Sequence, residues 1–181
     1  MMLDSQKRID VRFFILFIPV AYFSCLFHEL GHWSMGELLG NRMTYSLNYV
    51  WPKDGHYLQE SQGLYVIIGG PAFSILQALL AFLIIEKFSV RYAYPFAFFP
   101  MYNRSFSLLL TGFSKQDEAR IAVLTGTGTY LVAIIVLGIF LLIVARSSLK
   151  LKISAKTNGY VIVTSTVCQL LVIGTYEFIK V

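Results

Sequence analysis

Residues 64 to 85 read LYVIIGGPAFSILQALLAFLII, a stretch of 22 residues without an acid, a base or a histidine. At a rise of about 1.5 Å per residue a helix of this length crosses the ~30 Å hydrocarbon layer of a bilayer, where only helices and closed barrels satisfy every backbone amide. A second such stretch, IAVLTGTGTYLVAIIVLGIFLLIVA, occupies residues 121 to 145. The composition of the whole chain agrees. Apolar residues make up 56% of its 181 positions and the mean hydropathy is +0.65, above what a soluble globule of this size carries.

Working outward from these two runs, three more apolar stretches are interrupted by a few polar groups. The chain reads as one membrane-embedded domain, residues 1–181, with spans at 11–39, 63–86, 92–113, 119–146 and 158–180. The expected fold is an all-α polytopic bundle of about five transmembrane helices, a multi-pass protein of the cell membrane. Lys7, Arg8 and Arg12 before the first span mimic a signal peptide, but no small-x-small cleavage pattern follows, so a retained anchor is expected. The aromatic residues from Tyr92 to Tyr102 read as an interfacial belt, and Gly36/Gly40 and Gly126/Gly128 as points of close helix contact. Cys25 and Cys168 fall inside spans and read as small buried hydrophobes. The net charge of +5 comes from bases between spans, which suit lipid headgroups and point to the bilayer, not nucleic acid, as the partner.

Between the first two spans lies the longest polar stretch, residues 40–62. Met43, Tyr45, Leu47 and Tyr49 alternate there with Thr44, Ser46 and Asn48, the period of a strand. Pro52 to Gly55 supply turn chemistry and Tyr57 to Ser61 a return strand, so a short extramembrane β-hairpin is expected, with an edge able to hold an extended substrate segment. With five spans the membrane faces alternate. The hairpin, the segment SKQDEAR (residues 114–120) and the far end of the first helix then share one side.

That helix carries FHELGHW at residues 27–33. Two of the three histidines in the chain, His28 and His32, stand four apart, so on a helix they project from one face a turn apart, where two imidazoles can grip one Zn²⁺. Glu29 lies on the adjoining flank, placed to act as general base on a zinc-bound water without being a ligand. Two imidazoles and a carboxylate in lipid are costly unless a cation compensates them. A catalytic zinc takes a third protein ligand and leaves one position open. Asp117, Glu118 and His56 all lie on the correct face, and Asp117 is favoured because it begins a rigid helix, whereas His56 occupies a turn. Asn103 and Arg104 sit inside the third span, where Arg104 could pair with Asp117 or Glu118, assist an oxyanion, or snorkel.

HELGH within a first hydrophobic helix resembles the site-2 protease family of intramembrane zinc metalloproteases. Gly69-Gly70-Pro71-Ala72-Phe73-Ser74 is similar to the family's Gly-Pro-x-x-Asn element, with Ser74 where Asn is usual. Asp117 resembles the aspartate of the Asn-x-x-Pro-x-x-x-Leu-Asp-Gly element, although Leu109, Gly112, Gln116 and Glu118 replace its Asn, Pro, Leu and Gly. The resemblance implies one zinc per chain held by His28, His32 and Asp117, Glu29 as catalytic base, support or substrate binding from Gly70, Pro71 and Ser74, and membrane-spanning proteins as substrates. Two rivals belong to other classes: an inactive relative that binds a membrane partner, and a metal transporter using the same three side chains in transit.

Overall fold

The computed structural model describes residues 10–47 and 49–179. Lys7 and Arg8 of the expected anchor and Asn48 of the expected hairpin lie outside these residues. Seven α-helices follow in chain order among them: α1 (Val11–Ile15), α2 (Phe17–Leu38), α3 (Gln62–Phe88), α4 (Tyr94–Thr111), α5 (Asp117–Thr125), α6 (Leu131–Leu151) and α7 (Ala155–Ile179). Asp10 caps α1 through its side chain, accepting the Phe13 N–H at 3.0 Å, and α1 runs into α2 across one turn at Leu16. Val11–Leu38, Gln62–Phe88, Leu131–Leu151 and Ala155–Ile179 are each long and apolar enough to cross a membrane.

The bundle is apolar on the outside. Leu83 on α3, Ile134 and Leu142 on α6, and Val163 and Leu170 on α7 are exposed, while Ser24, Gln77, Ser147, Ser165 and Gln169 are buried. Water would not tolerate a surface of this kind over whole helices, whereas hydrocarbon would. The polar side chains turned inward join helices. Gln77 on α3 donates to Ser24 Oγ on α2 at 2.8 Å and to the Phe96 carbonyl on α4 at 3.0 Å. On α4, Tyr94 and Tyr102 donate to Asn158 Oδ1 and Thr166 Oγ1 of α7 at 2.8 and 2.7 Å. Such interhelical bonds contribute on the order of 0.6 kcal/mol each in a membrane, so they fix orientation more than they add stability.

Several expectations are corrected. The third expected span, 92–113, is the 18-residue α4, which is not among the helices apolar enough to cross alone. It packs against α2, α3, α6 and α7, with Tyr94, Phe98, Phe99 and Tyr102 in the core. These four aromatics are therefore packing groups and not part of an interfacial belt, whereas Tyr92 stays exposed and donates to Asp10; packed among its neighbours, α4 can carry Asn103 and Arg104. The fourth expected span, 119–146, is broken after Thr125. Gly126 takes a left-handed φ of 67°, and the Thr125 hydroxyl bonds the Ile121 carbonyl and Thr127 Oγ1, so the TGTGT run ends α5 rather than joining it to α6. A Cβ on Gly126 would meet nothing within 4 Å, so this glycine serves the turn and not helix contact.

The hairpin does not form as expected. A single bridge, Met43 with Pro52, and two backbone bonds, Thr44 N to Trp51 O and Lys53 N to Arg42 O, close a tight loop; Tyr57 to Ser61 do not return as its partner strand among the described residues. Side chains account for this. Tyr45 donates its hydroxyl to the Leu26 carbonyl on α2 at 2.6 Å, and Leu47 packs on the hydrophobic core, so the loop lies back on the bundle. Asn41 is buried, accepting the Leu58 N–H and donating to Gln62 Oε1, which pins both ends of the loop. Gly36 is filled by Met43 of this loop, and Gly40, at φ 86°, reverses the chain after α2; the pair does not pack against another helix.

Candidate metal centre

Helices α2 and α3 come into backbone contact where Gly31 faces Gly69: a Cβ on either glycine would strike the carbonyl oxygen of the other. Beside this crossing, His32, which follows Gly31, and His28, a turn before it, lean onto Gly70, which follows Gly69. A Cβ at Gly70 would collide with His32 Nε2 and lie 2.7 Å from His28 Cε1, so the missing side chain makes the room in which both rings stand.

Each ring is held by its far nitrogen. His32 Nδ1 lies 2.8 Å from the Val66 carbonyl oxygen, which can only accept, so this nitrogen carries the proton and Nε2 presents a lone pair. His28 Nδ1 lies 2.9 Å from Ser74 Oγ, an acceptor for the same tautomer. Ser74 thus stands as an orienting partner of His28, and Pro71, having no N–H, leaves the Ile67 carbonyl without its in-helix donor. The two Nε2 atoms are 3.2 Å apart.

Asp117, the first residue of α5, brings Oδ2 to 3.1 Å from His28 Nε2 and 3.6 Å from His32 Nε2. Three electron-rich atoms therefore converge on one point, an arrangement that repels itself unless a cation lies among them. Zinc bonds of about 2.0–2.1 Å in a tetrahedral site separate neighbouring ligand atoms by about 3.3 Å. The three observed separations bracket that value, so the donor set fits zinc in chemistry and in size. Glu29 also has a carboxylate oxygen within 4.8 Å of the imidazole nitrogens, yet Asp117 is nearer to both rings and bridges them.

Arg104, deep in α4, holds this acid in place. Its Nη2 is 3.4 Å from Asp117 Oδ2, its Nη1 donates to Gln116 Oε1 at 3.0 Å, and its Nε is 3.1 Å from Glu118 Oε1. Glu118 is 1% exposed and faces Arg104; its pairing with the guanidinium is off the axis of a hydrogen bond. Of the three residues weighed as third ligand, Asp117 stands beside both histidines and Glu118 pairs with Arg104. His56 stays exposed on the loop and does not line the cavity described next.

The cluster opens into a cavity of about 700 Å³, whose wall includes Cys25, Glu29, Asn103, Trp51, Arg120 and Gln169. Glu29 is 8% exposed and makes no hydrogen bond or ion pair to any described residue, so its carboxylate is free to change partners. In the loop above, burial pushes the Tyr57 phenol above its ordinary pKa, against the pull of the Arg120 cation, and Tyr57 remains a neutral wall group. Two contributors escaped sequence reasoning, the Val66 carbonyl and Gln169. The first leaves no trace in residue type. The second did leave a signal, a lone amide within an apolar span.

Compared with family models, with curated proteins and with solved structures, the chain has no match.

Proposed function

We propose that this membrane protein is an intramembrane zinc endopeptidase, resembling the site-2 proteases, that hydrolyses peptide bonds in or near the transmembrane segments of other proteins. The observation that carries the reading is the convergence of His28 Nε2, His32 Nε2 and Asp117 Oδ2 within 3.1–3.6 Å, beside an unpinned buried carboxylate on the wall of a cavity. A structural zinc site is closed by four protein ligands; three ligands and a cavity suit a catalytic one.

His28, His32 and Asp117 hold the metal, which when bound supplies a water of lowered pKa and a Lewis acid for the substrate carbonyl. The Ser74 hydroxyl and the Val66 carbonyl keep both Nε2 atoms turned inward. Glu29 takes the proton from the attacking water and returns it to the leaving amine, which its freedom from other partners allows. Arg104 keeps Asp117 from withdrawing, and the surrounding helices limit bulk water. A substrate helix must unwind to expose its scissile bond, and the cavity is large enough for an extended segment.

The experiment measures zinc content and cleavage of a single-span substrate for the parent protein and for Glu29→Gln. We expect both to carry one zinc per chain and only the parent to cut, with a loss of at least a hundredfold in the variant. A parent that holds zinc but cuts nothing would favour an inactive partner-binding relative; metal flux into vesicles would favour a transporter.

A further inference from the structure

A side-chain oxygen that is fully buried and has no hydrogen-bond partner is rare, because leaving it unpaired forfeits a stabilising bond. Gln77, Glu86, Glu118, Ser147, Ser165 and Gln169 have such atoms among the described residues. Gln77 makes two bonds through its nitrogen, Glu86 and Glu118 are ion-paired with Arg146 and Arg104, and the two serines are small groups inside helix packing. Gln169 differs from the rest: it is 6% exposed, its Oε1 has no partner, and it alone of the six lines the cavity that holds the histidine cluster.

Its place in α7 gives the amide a meaning. Gln169, Val172, Ile173 and Tyr176 recur at helical spacing and all line this cavity, so α7 presents one stripe to it, apolar in the middle with an amide at one end. An apolar segment drawn out of its helix fits such a wall by its side chains. Its main chain does not, for every N–H and C=O freed from its helix needs a new partner. A carboxamide serves both kinds of group, accepting from an N–H and donating to a C=O, without bringing a charge into the bilayer.

We propose that Gln169 is a substrate-positioning residue, its carboxamide bonding the main chain of the unwound peptide segment beside the metal cluster. This inference rests on the protease reading for its substrate. It assigns α7, which lies beyond every motif legible in the sequence, to the substrate wall.

The test uses the full chain purified in detergent, a single-span substrate peptide, and Gln169→Leu, which keeps the volume and removes the amide. Expected are a melting temperature at or above that of the parent, an unchanged zinc content, and a KM raised about threefold to tenfold with kcat little altered, the effect of one lost hydrogen bond. In parallel, the substrate is photo-crosslinked to a reactive residue at Ile173 in the Glu29→Gln protein, and adding Gln169→Leu should lower the yield by a similar factor. An unchanged KM and yield overturn the proposal; so does a lowered melting temperature, which would make the amide a structural bond. If the parent cuts nothing while the crosslink still forms and still depends on Gln169, the protease reading fails and the positioning role stands. Absence of both cutting and crosslink overturns both.

Discussion

At Gly70 one hydrogen in place of a methyl group decides whether two imidazoles can face each other. In an exposed helix interior Gly→Ala stabilises by about 1 kcal/mol. Here the added carbon would meet His32 Nε2 and lie 2.7 Å from His28 Cε1. We therefore expect Gly70→Ala to weaken zinc affinity at least tenfold, by competition with a chromophoric chelator, while helix content measured by circular dichroism is preserved. Affinity equal to the parent's would mean that the rings have another way to stand. The paired histidines and Glu29 were legible in the sequence because their relation is local, four residues and one turn. Gly70 and Pro71 were legible as small or helix-breaking residues suited to close helix packing, Ser74 only through resemblance, and Ser74 gained its physical role when α3 was seen to bring its hydroxyl to His28 Nδ1.

Among the elements, α5 departs most from a hydropathy reading. Residues 121–145 are uniformly free of charge, but the chain turns at Gly126, and α5 is left as a nine-residue helix whose acidic start faces α4. Arg104 fastens it there through Gln116, Asp117 and Glu118. With Glu118 1% exposed and the Arg104 side chain 11% exposed, this is an ion pair out of water, in which removing one partner strands the other. Arg104→Leu should destabilise the protein by about 3–5 kcal/mol, and adding Glu118→Leu should recover most of that loss, in chemical unfolding followed by tryptophan fluorescence. Simple additivity of the two substitutions would show that the pair carries no coupling. The fate of α4 was hidden for a related reason. A helix packed against four others over its first two-thirds needs little lipid-facing apolar surface there, so its composition resembles neither a span nor a soluble helix.

For the molecule as a whole, the centre joins α2, α3, α4 and α5 around atoms that repel one another without a cation. If the cluster holds zinc as proposed, removing it should therefore loosen the bundle as well as stop cleavage. We expect a strong chelator to lower the melting temperature of the parent protein, corresponding to a loss of about 2–4 kcal/mol where zinc had been present at 100- to 1,000-fold its Kd. His28→Ala combined with His32→Ala should melt low from the start and be insensitive to chelator. A parent protein indifferent to chelation would mean that protons alone hold the cluster together.

Membrane residence and the histidine pair with its glutamate were determined by the sequence itself, because each depends on neighbours within a few turns of one helix: an uncharged length, a spacing of four. The tertiary structure alone decided which acid stands beside the histidines, where the fourth expected span breaks, how Tyr45 and Leu47 turn back onto the bundle, and that Gln169 lines the same cavity. The physical reason is that an apolar residue facing lipid and one facing another helix are nearly equivalent in hydropathy. Which faces meet is settled by small residues, close backbone approach and buried polar pairs between segments far apart in the chain.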